Sequence, residues 1–416
     1  MEGRLHGPGQ SSGDFTREAI RAMRAIEAMG HDPLILGFHP IARMNPYHGL
    51  LYQETWRAGI GAFPVIREET IPELTELARL GFPVMLHLHW LNQVLSRTSS
   101  SREADKERVA FLGRLDHFRE QGGHLAWTVH NILPHGARFE DEEARLSQDV
   151  LDRCDVVHVM AARTAEIVAP HFTIPADRTI QIPHPSYLGA YEDRVSRDQA
   201  RHELGLWPDE IVYVVLGAIR PYKGLRDLLQ AWPEVRASDP RRRLVIAGSP
   251  SEEPGVAELL EDAAMQAGVL LFTGQVEPPD IQLFLRAADV AVLPYVRALN
   301  SGALMLSITF GLPVIVPAGG GLAEVADDAF ARTFEVEDRA SLVRSLRDID
   351  PLLAPAARAA ASAAAARLAP GPISEQFGRG VRDLLAKGIV PPVAPGASSR
   401  HNSSRDKRGR GRGRSS

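Results

Sequence analysis

The sequence predicts an α/β protein of two domains, each built around a parallel β-sheet. Short runs of aliphatic and β-branched residues alternate with longer amphipathic segments along most of the chain. This alternation stops once, at a polar, turn-rich stretch over residues 183–206, and then starts again. A length of 416 residues also exceeds that of a typical single domain. Strands that alternate with helices form right-handed βαβ units, and such units build parallel sheets.

The first half begins with a predicted helix whose apolar residues, Ala19, Met23 and Ile26, lie on one side. Five short apolar runs that follow are predicted as buried strands, at residues 33–37, 84–89, 125–129, 156–159 and 179–182. The amphipathic segments between them are predicted as helices, around residues 50–52, 71–80, 109–115, 140–151 and 162–169.

The second half begins with a connecting helix at residues 197–204 and repeats the pattern. Strands are predicted at residues 211–216, 243–247, 269–272, 290–294 and 313–316. Helices are predicted at residues 224–232, 256–267, 280–287, 301–311, 354–369 and 373–385. The alanine-dense segment among them is helical by propensity alone.

These elements divide the chain into five segments. They are an N-terminal extension (1–30), a first domain (31–190), a second domain (191–372), a C-terminal helix (373–388) and a basic tail (389–416). The tail carries seven Lys or Arg against one Asp after residue 397, and no segment of that composition can fold alone. It could attract nucleic acid or anionic lipid, but we expect it to be solvated and dispensable for activity.

Composition favours a cytoplasmic protein. The chain is 44% hydrophobic and 24% charged, which is ordinary for a globular protein. We find no secretory signal and no apolar run long enough to span a bilayer. The single cysteine, Cys154, excludes an internal disulfide and a cysteine-based zinc site.

The stretch at residues 289–324 is the strongest candidate for a binding site. A short strand is followed by a polar turn that ends in Asn300-Ser301-Gly302, where a helix begins, and a second strand leads to three glycines and Glu324. A Ser-Gly pair at a helix N-terminus leaves backbone N–H groups free, so it suits a phosphate. The alternative is that Ser301 is only an N-cap and Gly302 only a turn.

A second candidate is the loop after residues 211–216, which holds Gly217, Arg220 and Lys223 before a helix. Two cations fixed at strand ends suit a diphosphate leaving group, whose developing charge needs stabilisation. Both residues could instead be solvated, but cations are disfavoured at a helix N-terminus. Their position therefore favours an anionic ligand.

Histidines follow two strands of the first half. His130 leaves the carboxyl end of the strand at residues 125–129, where parallel sheets bind substrates. His87 and His89 alternate on one strand face and could bind a metal. No acidic residue lies near them at suggestive spacing, so we expect them to line a pocket instead.

These motifs resemble those of retaining glycosyltransferases of the GT-B superfamily, family-4-like. The similar segments are IRPYKGL, TGQVEPPDIQLFLRAADVAVLPY, SGALMLSITFGLPVIVP and GGGLAE. HLHW and WTVHNILPH resemble a branch that acts in bacterial surface-polysaccharide and glycolipid assembly. The resemblance covers about residues 33–385. It implies two Rossmann-like domains facing across a cleft, with a nucleotide-sugar donor on the second and an acceptor on the first.

The resemblance also implies roles for individual residues. Arg220 and Lys223 would hold the donor diphosphate, and His130 would lie beside the reacting sugar. The backbone near Gln275 and Val276 would contact the base. Further donor-site positions are implied at Gly217, Tyr295, Ser301, Gly302, Ala303, Leu304 and Glu324. These cations and the helix N-terminus would replace a metal, and no cofactor beyond the donor substrate is implied.

Two departures from the family pattern concern the donor site. Leu299 and Ser307 occupy positions where the family often has glutamates, the second of which usually holds the nucleotide ribose. Ala218 replaces an arginine that usually follows the glycine, so Arg220 would act from a shifted position.

We therefore expect a hexosyltransferase that moves a sugar from a nucleotide-diphosphate sugar to a saccharide or lipid-linked acceptor. Retention of configuration and independence of metal are expected, as is peripheral contact with the inner membrane face for a lipid-linked acceptor. The main alternative is a non-catalytic GT-B protein that binds a nucleotide sugar or a partner enzyme. A phosphorylase, a sugar-nucleotide epimerase and a nucleic-acid-binding protein are weaker alternatives.

Overall fold

The computed structural model describes residues 13–42, 45–65, 71–134 and 136–388. Residues 1–12 of the predicted N-terminal extension and all of the basic tail therefore lie outside the described residues. Within these ranges the chain forms two six-stranded sheets, one after the other, and every strand pair is parallel. The predicted α/β class with two parallel sheets is confirmed.

The first sheet has the strand order β2-β1-β3-β4-β5-β6. Its strands are β1 (Leu34–His39), β2 (Ile60–Pro64), β3 (Val84–Leu88), β4 (His124–Thr128), β5 (Val156–Val159) and β6 (Thr179–Gln181). Its helices are α1 (Gly13–Ala28), α2 (Tyr47–Tyr52), α3 (Ile71–Arg79), α4 (Asn92–Leu95), α5 (Ser101–Glu120), α6 (Glu140–Arg153) and α7 (Thr164–Val168). The strand order reverses between β1 and β3, and sheets of this kind bind ligands at such a point.

The second sheet has the order β12-β11-β10-β7-β8-β9 and reverses between β7 and β10. Its strands are β7 (Ile211–Leu216), β8 (Arg242–Gly248), β9 (Val269–Thr273), β10 (Val290–Val292), β11 (Val314–Pro317) and β12 (Ala331–Phe334). Its helices are α8 (Arg197–Glu203), α9 (Leu225–Ser238), α10 (Val256–Met265), α11 (Ile281–Ala287), α12 (Gly302–Thr309), α13 (Arg339–Arg347) and α14 (Pro355–Arg367). Short 3-10 turns occur at Thr55–Ala58, Ala176–Arg178, Pro221–Lys223, Pro278–Asp280 and Asp350–Leu353.

The last helix, α15 (Pro370–Ala386), returns to the first sheet. It packs on α2, β5 and β6, with Phe377 and Val381 fully buried. Helix α1 likewise packs on the first sheet and buries Ala19 and Met23. Of the helices in the described ranges, none is both long enough and apolar enough to cross a membrane.

Helices cover both faces of each sheet, and the side-chain pattern of the strands explains why. In β1, Leu34 and Leu36 belong to one apolar cluster, whereas Ile35 belongs to the cluster on the opposite face. Successive strand residues point to opposite faces, so a strand that is apolar throughout needs cover on both. This burial holds the carboxyl ends of the strands in fixed positions.

Two strands, β2 and β12, and two helices, α4 and α13, were not predicted. Strand β2 contains Gly61 and ends in Pro64, and its only fully buried residue is Ile60. Strand β12 is four residues long and carries a half-buried Arg332. Both are edge strands, which need less apolar surface than central strands and so leave a weak sequence pattern. Helix α13 follows β12 and was missed with it.

Candidate active site

A cleft of about 1230 Å³ lies between the two halves of the chain, at the carboxyl ends of strands from both sheets. Most of the residues predicted for the site line it: His130, Gly217, Arg220, Lys223, Gln275, Val276, Tyr295, Ser301, Gly302 and Ala303. Leu304 and Glu324 do not belong to this lining.

The loop after β7 positions Lys223 at the cleft. Gly224 ends a 3-10 turn with φ +67°, and a Cβ added there would lie 1.8 Å from the carbonyl oxygen of Pro294. Only glycine fits so close to another backbone. The Lys223 ammonium lies 5.8 Å from the centre of the Tyr295 ring. It also approaches the strand end closely, because a Cβ on Gly217 would be 3.3 Å from Nζ.

Lys223 is a cation without an anionic partner among the described residues. Burial lowers its pKa, and the neighbouring Arg220 lowers it further, whereas Tyr222 acts in the opposite direction. A buried ammonium is costly unless an opposite charge is close. The arrangement therefore favours an anion in the cleft.

Arg220 lies on the same loop but is already paired. Its Nη1 lies 3.1 Å from Oε1 of Glu253, and its side chain is 41% exposed. Glu253 also lines the cleft, although the sequence analysis did not single it out. It follows the carboxyl end of β8, and that position was the available signal. Arg220 would have to share its guanidinium between Glu253 and a ligand.

Helix α12 begins at Gly302 with Ser301 as its N-cap, and the Ser301 hydroxyl accepts a hydrogen bond from the Leu304 amide at 3.2 Å. The first backbone hydrogen bond of this helix is donated by the Met305 N–H to the Ser301 carbonyl. The N–H groups of Gly302 and Ala303 come earlier in the chain and have no partner within the helix, so they remain available at its positive end. The Leu304 amide is already used, and its side chain is buried.

Gly302 also permits a close contact. A Cβ at this position would lie 2.8 Å from the Tyr187 hydroxyl oxygen. That hydroxyl donates a hydrogen bond to Asn45 Oδ1 at 3.0 Å, which connects the segment after β6 to the loop before α2. Tyr187 and Asn45 both line the cleft, and their sequence context gave no indication of this.

The two positions that often hold glutamates supply no carboxylate, and both side chains are buried. Leu299 is 2% exposed and packs in the apolar cluster of the first sheet. The Ser307 hydroxyl donates to the Ala303 carbonyl at 2.8 Å within the same helix. Neither side chain can therefore replace the glutamate that usually holds the nucleotide ribose in the family.

His130 follows β4 by two residues and lies against the cleft. Its ring stacks on Trp90, with ring centres 4.2 Å apart, and its Nε2 is 2.9 Å from His89 Nδ1. The Asn300 side chain donates to the His130 carbonyl at 3.0 Å, which links the two halves. Burial lowers the pKa of His130 well below its usual range, so its ring is neutral at pH 7.

The structure places His87 and His89 in a buried aromatic cluster rather than at a surface pocket. Both rings hydrogen-bond the Tyr52 hydroxyl at 2.7 Å. In the part of the chain that the structure describes, no group of three or more His, Cys, Asp or Glu side chains is arranged to hold a metal ion. Instead, both histidines belong to a series of hydrogen bonds that leads through Tyr52 to His130.

Glu324 lies outside the cleft and contacts the first half of the chain. Its two carboxylate oxygens accept hydrogen bonds from the backbone N–H groups of Ala162, at 2.7 Å, and Arg163, at 2.8 Å. Its predicted contact with a donor stays a prediction, and the carboxylate has another partner in this structure.

Comparison with known sequences gives a consistent family. Residues 210–349 match the model of the family described as glycosyl transferases group 1. Over 314 residues, the chain is 30% identical to a GDP-mannose:glycolipid 4-beta-D-mannosyltransferase of Xanthomonas campestris pv. campestris, covering 74% of this chain and 81% of that protein. It is also 27% identical over 192 residues to a D-inositol 3-phosphate glycosyltransferase of Corynebacterium efficiens, covering 44% and 45% of the two chains.

Solved structures with the same architecture include sucrose-phosphate synthase from Thermosynechococcus elongatus, with a TM-score of 0.65 and 18% identity over 85% of this chain and all of that one. Anabaena HepE in complex with UDP has a TM-score of 0.62 and 14% identity, over 84% of this chain and all of that one. At such identities the likeness concerns the fold, which is GT-B. With the sequence matches, it follows that the chain belongs to the group 1 glycosyl transferase family and is a glycosyltransferase.

Proposed function

We propose that this enzyme transfers a hexose from a nucleoside-diphosphate sugar to a saccharide or lipid-linked saccharide acceptor. The observation that carries the proposal is the half-buried Lys223 ammonium, which has no carboxylate partner among the described residues and lies in the loop after β7, at the cleft. The free amides of α12 face the same cleft. A diphosphate would supply the missing negative charge.

The reaction needs stabilisation of the charge that develops on the departing diphosphate. Lys223 and the N-terminus of α12 are already fixed before the substrate binds, so they need little rearrangement during the reaction. Arg220 can add a forked contact to the phosphate oxygens if it is shared with Glu253. In this proposal these groups perform the electrostatic role that a metal has in other transferases.

The base of the donor would lie beside Gln275 and Val276, which follow β9 and line the cleft. The mannosyltransferase relative is named for GDP-mannose, and HepE was solved with UDP. Because the first of these is the more similar sequence, GDP-mannose is the donor that we would test first.

The acceptor would enter from the first half, where Tyr47, Trp90, Ile132 and Leu133 line the cleft. Aromatic and aliphatic walls suit the faces of sugar rings and the proximal part of a lipid. The mannosyltransferase relative is named for a glycolipid acceptor. We therefore include a lipid-linked acceptor and peripheral contact with the cytoplasmic membrane face in the proposal.

Two stereochemical courses follow from different observations. The motif resemblance favours retention of the donor configuration. The relative's name describes a β-linked product, and Leu299 and Ser307 supply no carboxylate, which together favour inversion for an α-linked donor. The one-bond carbon–proton coupling at the anomeric carbon of the product distinguishes the two courses.

A non-catalytic protein that binds a nucleotide sugar is the second candidate, and the absence of side-chain carboxylates at positions 299 and 307 favours it. Substrate turnover separates the candidates. An enzyme releases nucleoside diphosphate in proportion to glycosylated acceptor, whereas a binding protein gives neither product.

The first experiment is a thermal-shift panel of UDP, GDP, ADP, TDP and their sugar conjugates. A ligand at one hundred times its Kd stabilises the native state by about 2.7 kcal/mol. We expect one nucleotide to raise the Tm of the wild type and of Lys106→Ala, an exposed control, by equal amounts, and to raise that of Lys223→Ala by less. Absence of a shift with every nucleotide would contradict a donor site, and an equal shift in Lys223→Ala would remove Lys223 from it.

A further inference from the structure

Behind His130 lies a continuous series of buried hydrogen bonds between side chains, here called the histidine network. Its members, in order, are His158, Thr128, His87, Tyr52, His89 and His130. All six side chains are buried, and they come from strands β3, β4 and β5, from the residues that follow β3 and β4, and from helix α2.

The inner end of the network has a fixed direction. His158 Nε2 is 2.8 Å from the Ile182 carbonyl oxygen, which can only accept, so Nε2 carries the proton. His158 Nδ1 is then an acceptor, and the Thr128 hydroxyl donates a hydrogen bond to it at 3.0 Å. Because the Thr128 hydroxyl proton is already donated to His158, the Thr128 oxygen must accept a hydrogen bond from His87 Nε2, at 2.8 Å.

The same reasoning fixes the direction of the remaining hydrogen bonds, from His87 to His130 at the cleft. Since His87 Nε2 donates, its Nδ1 accepts from the Tyr52 hydroxyl at 2.7 Å. The Tyr52 oxygen then accepts from His89 Nε2, also at 2.7 Å. That leaves His89 Nδ1 as an acceptor for His130 Nε2 at 2.9 Å. Each member has only one proton to donate, so the direction at Ile182 propagates to His130.

The argument requires neutral rings, because an imidazolium has two donors and no acceptor. Burial is the largest cause that lowers the pKa of each ring: to about 4 for His158, and well below the usual range for His87, His89 and His130. Phe377 of α15 packs against the inner part of the network. Its ring lies parallel to His87, with centres 5.4 Å apart, and meets His158 edge-on at 5.2 Å.

We propose that the histidine network fixes His130 as the tautomer with its proton on Nε2, so that Nδ1 is presented to the cleft as a hydrogen-bond acceptor for a sugar hydroxyl. No described residue hydrogen-bonds Nδ1, while the ring itself lines the cleft. Thr128 and His158 are positioning residues in this proposal, although neither lines the cleft. The tautomer is a property of the fold, and only the role of Nδ1 rests on the proposed function.

Thr128→Val tests the direction of the network. Without the hydroxyl, the wild-type direction would leave the His87 Nε2 proton without an acceptor. The segment from His87 to His130 can avoid this by reversing, since an unpaired ring nitrogen lone pair costs less than an unpaired N–H. Reversal places the proton of His130 on Nδ1. Thr128→Ser restores the hydroxyl and should restore the wild-type direction.

The measurement is long-range proton–nitrogen correlation on the full chain labelled with ¹⁵N-histidine, whose peak pattern distinguishes the two tautomers. The signal of His130 is assigned from its loss in His130→Asn. We expect the Nε2–H pattern in the wild type, in Thr128→Ser and in Thr75→Val, a control that removes another buried threonine hydroxyl. We expect the Nδ1–H pattern in Thr128→Val.

A wild-type His130 that carries its proton on Nδ1 or on both nitrogens would overturn the proposal, as would an unchanged His130 in a folded Thr128→Val. Kinetics then test the role of Nδ1. We expect kcat/KM to fall about tenfold or more in Thr128→Val, as for one lost hydrogen bond, and to stay near the wild type in Thr128→Ser and Thr75→Val. A reversed tautomer with unchanged kcat/KM would overturn that role, and a wild type without turnover would contradict the proposed function but not the tautomer.

Discussion

The carboxylate of Glu324 accepts a hydrogen bond from the backbone N–H of Arg163 at 2.8 Å, although the two residues belong to different halves of the chain. The neighbouring Ala162 amide donates to the other oxygen at 2.7 Å. These amides immediately precede helix α7, so the negative charge lies where that helix is positive. The contact connects the loop after β11 to the loop after β5.

Glu324→Ala should lower the free energy of unfolding by about 1 kcal/mol, a small value because the carboxylate is exposed and solvent screens it. Chemical denaturation measures this loss, and Glu324→Gln, which keeps one acceptor oxygen, should lose less. The nucleotide-induced thermal shift should persist in both variants. Loss of that shift would instead place Glu324 in the donor site.

Lys223→Ala should lower kcat/KM at least tenfold, since one charge-assisted contact contributes roughly 1.5–3 kcal/mol. The exposed Lys106→Ala is the matched control and should behave as the wild type. Steady-state kinetics with the donor identified by thermal shift provide the measurement. Near wild-type kinetics in Lys223→Ala would exclude a contact between this ammonium and the leaving group.

Acidification should destabilise the protein through His48. This ring is 4% exposed, and neither nitrogen has a hydrogen-bond partner among the described residues. Burial lowers the pKa of His48 to about 4, whereas an unfolded histidine has a pKa of about 6.5. Its contribution to stability is therefore present above pH 6.5 and is lost as the pH falls towards 4.

Replacement of His48 by phenylalanine removes that titration. Between pH 7 and pH 5, the free energy of unfolding should fall about 2 kcal/mol less in His48→Phe than in the wild type. Denaturant unfolding at both pH values gives the comparison, and the exposed His202→Phe is the control. Parallel pH dependence of His48→Phe and wild type would show that His48 is not the buried neutral group described above.

Gly224→Ala should destabilise the loop that carries Lys223. The new Cβ would lie 1.8 Å from the Pro294 carbonyl, at a backbone φ of +67°. We expect a loss of at least about 2 kcal/mol in the free energy of unfolding. Gly113→Ala in helix α5 is the control, because nothing lies within 4 Å of its added Cβ, and it should stabilise by about 1 kcal/mol. Equal stability of the two variants would contradict the close approach at Gly224.

Local patterns in the sequence were enough to predict the two sheets. A central strand such as β3 is buried along its whole length, so apolarity alone identifies it. Strands β2 and β12 lie at edges and carry Gly61, Pro64 and Arg332, which a local pattern assigns to loops. Periodicity therefore identified the centre of each sheet better than its edges.

The sequence likewise indicated some parts of the candidate site and not others. Lys223 and Ser301 lie in the loops after β7 and β10, and their position just before a helix was visible in the sequence. The partners within the histidine network are not, because His87 and Thr128 are 41 residues apart and each has an ordinary strand context. Such contacts depend on which strands become neighbours, and no local pattern encodes that.

The return of α15 to the first sheet also bears on how the protein is synthesised. Phe377, which covers His87 and His158, lies near the end of a chain whose first sheet is complete by Gln181. A ribosome therefore produces the whole second sheet before it supplies the cover for the first. Until α15 emerges from the exit tunnel, the part of this apolar face that Phe377 and Val381 cover stays exposed, and α2 covers the rest from within the first half.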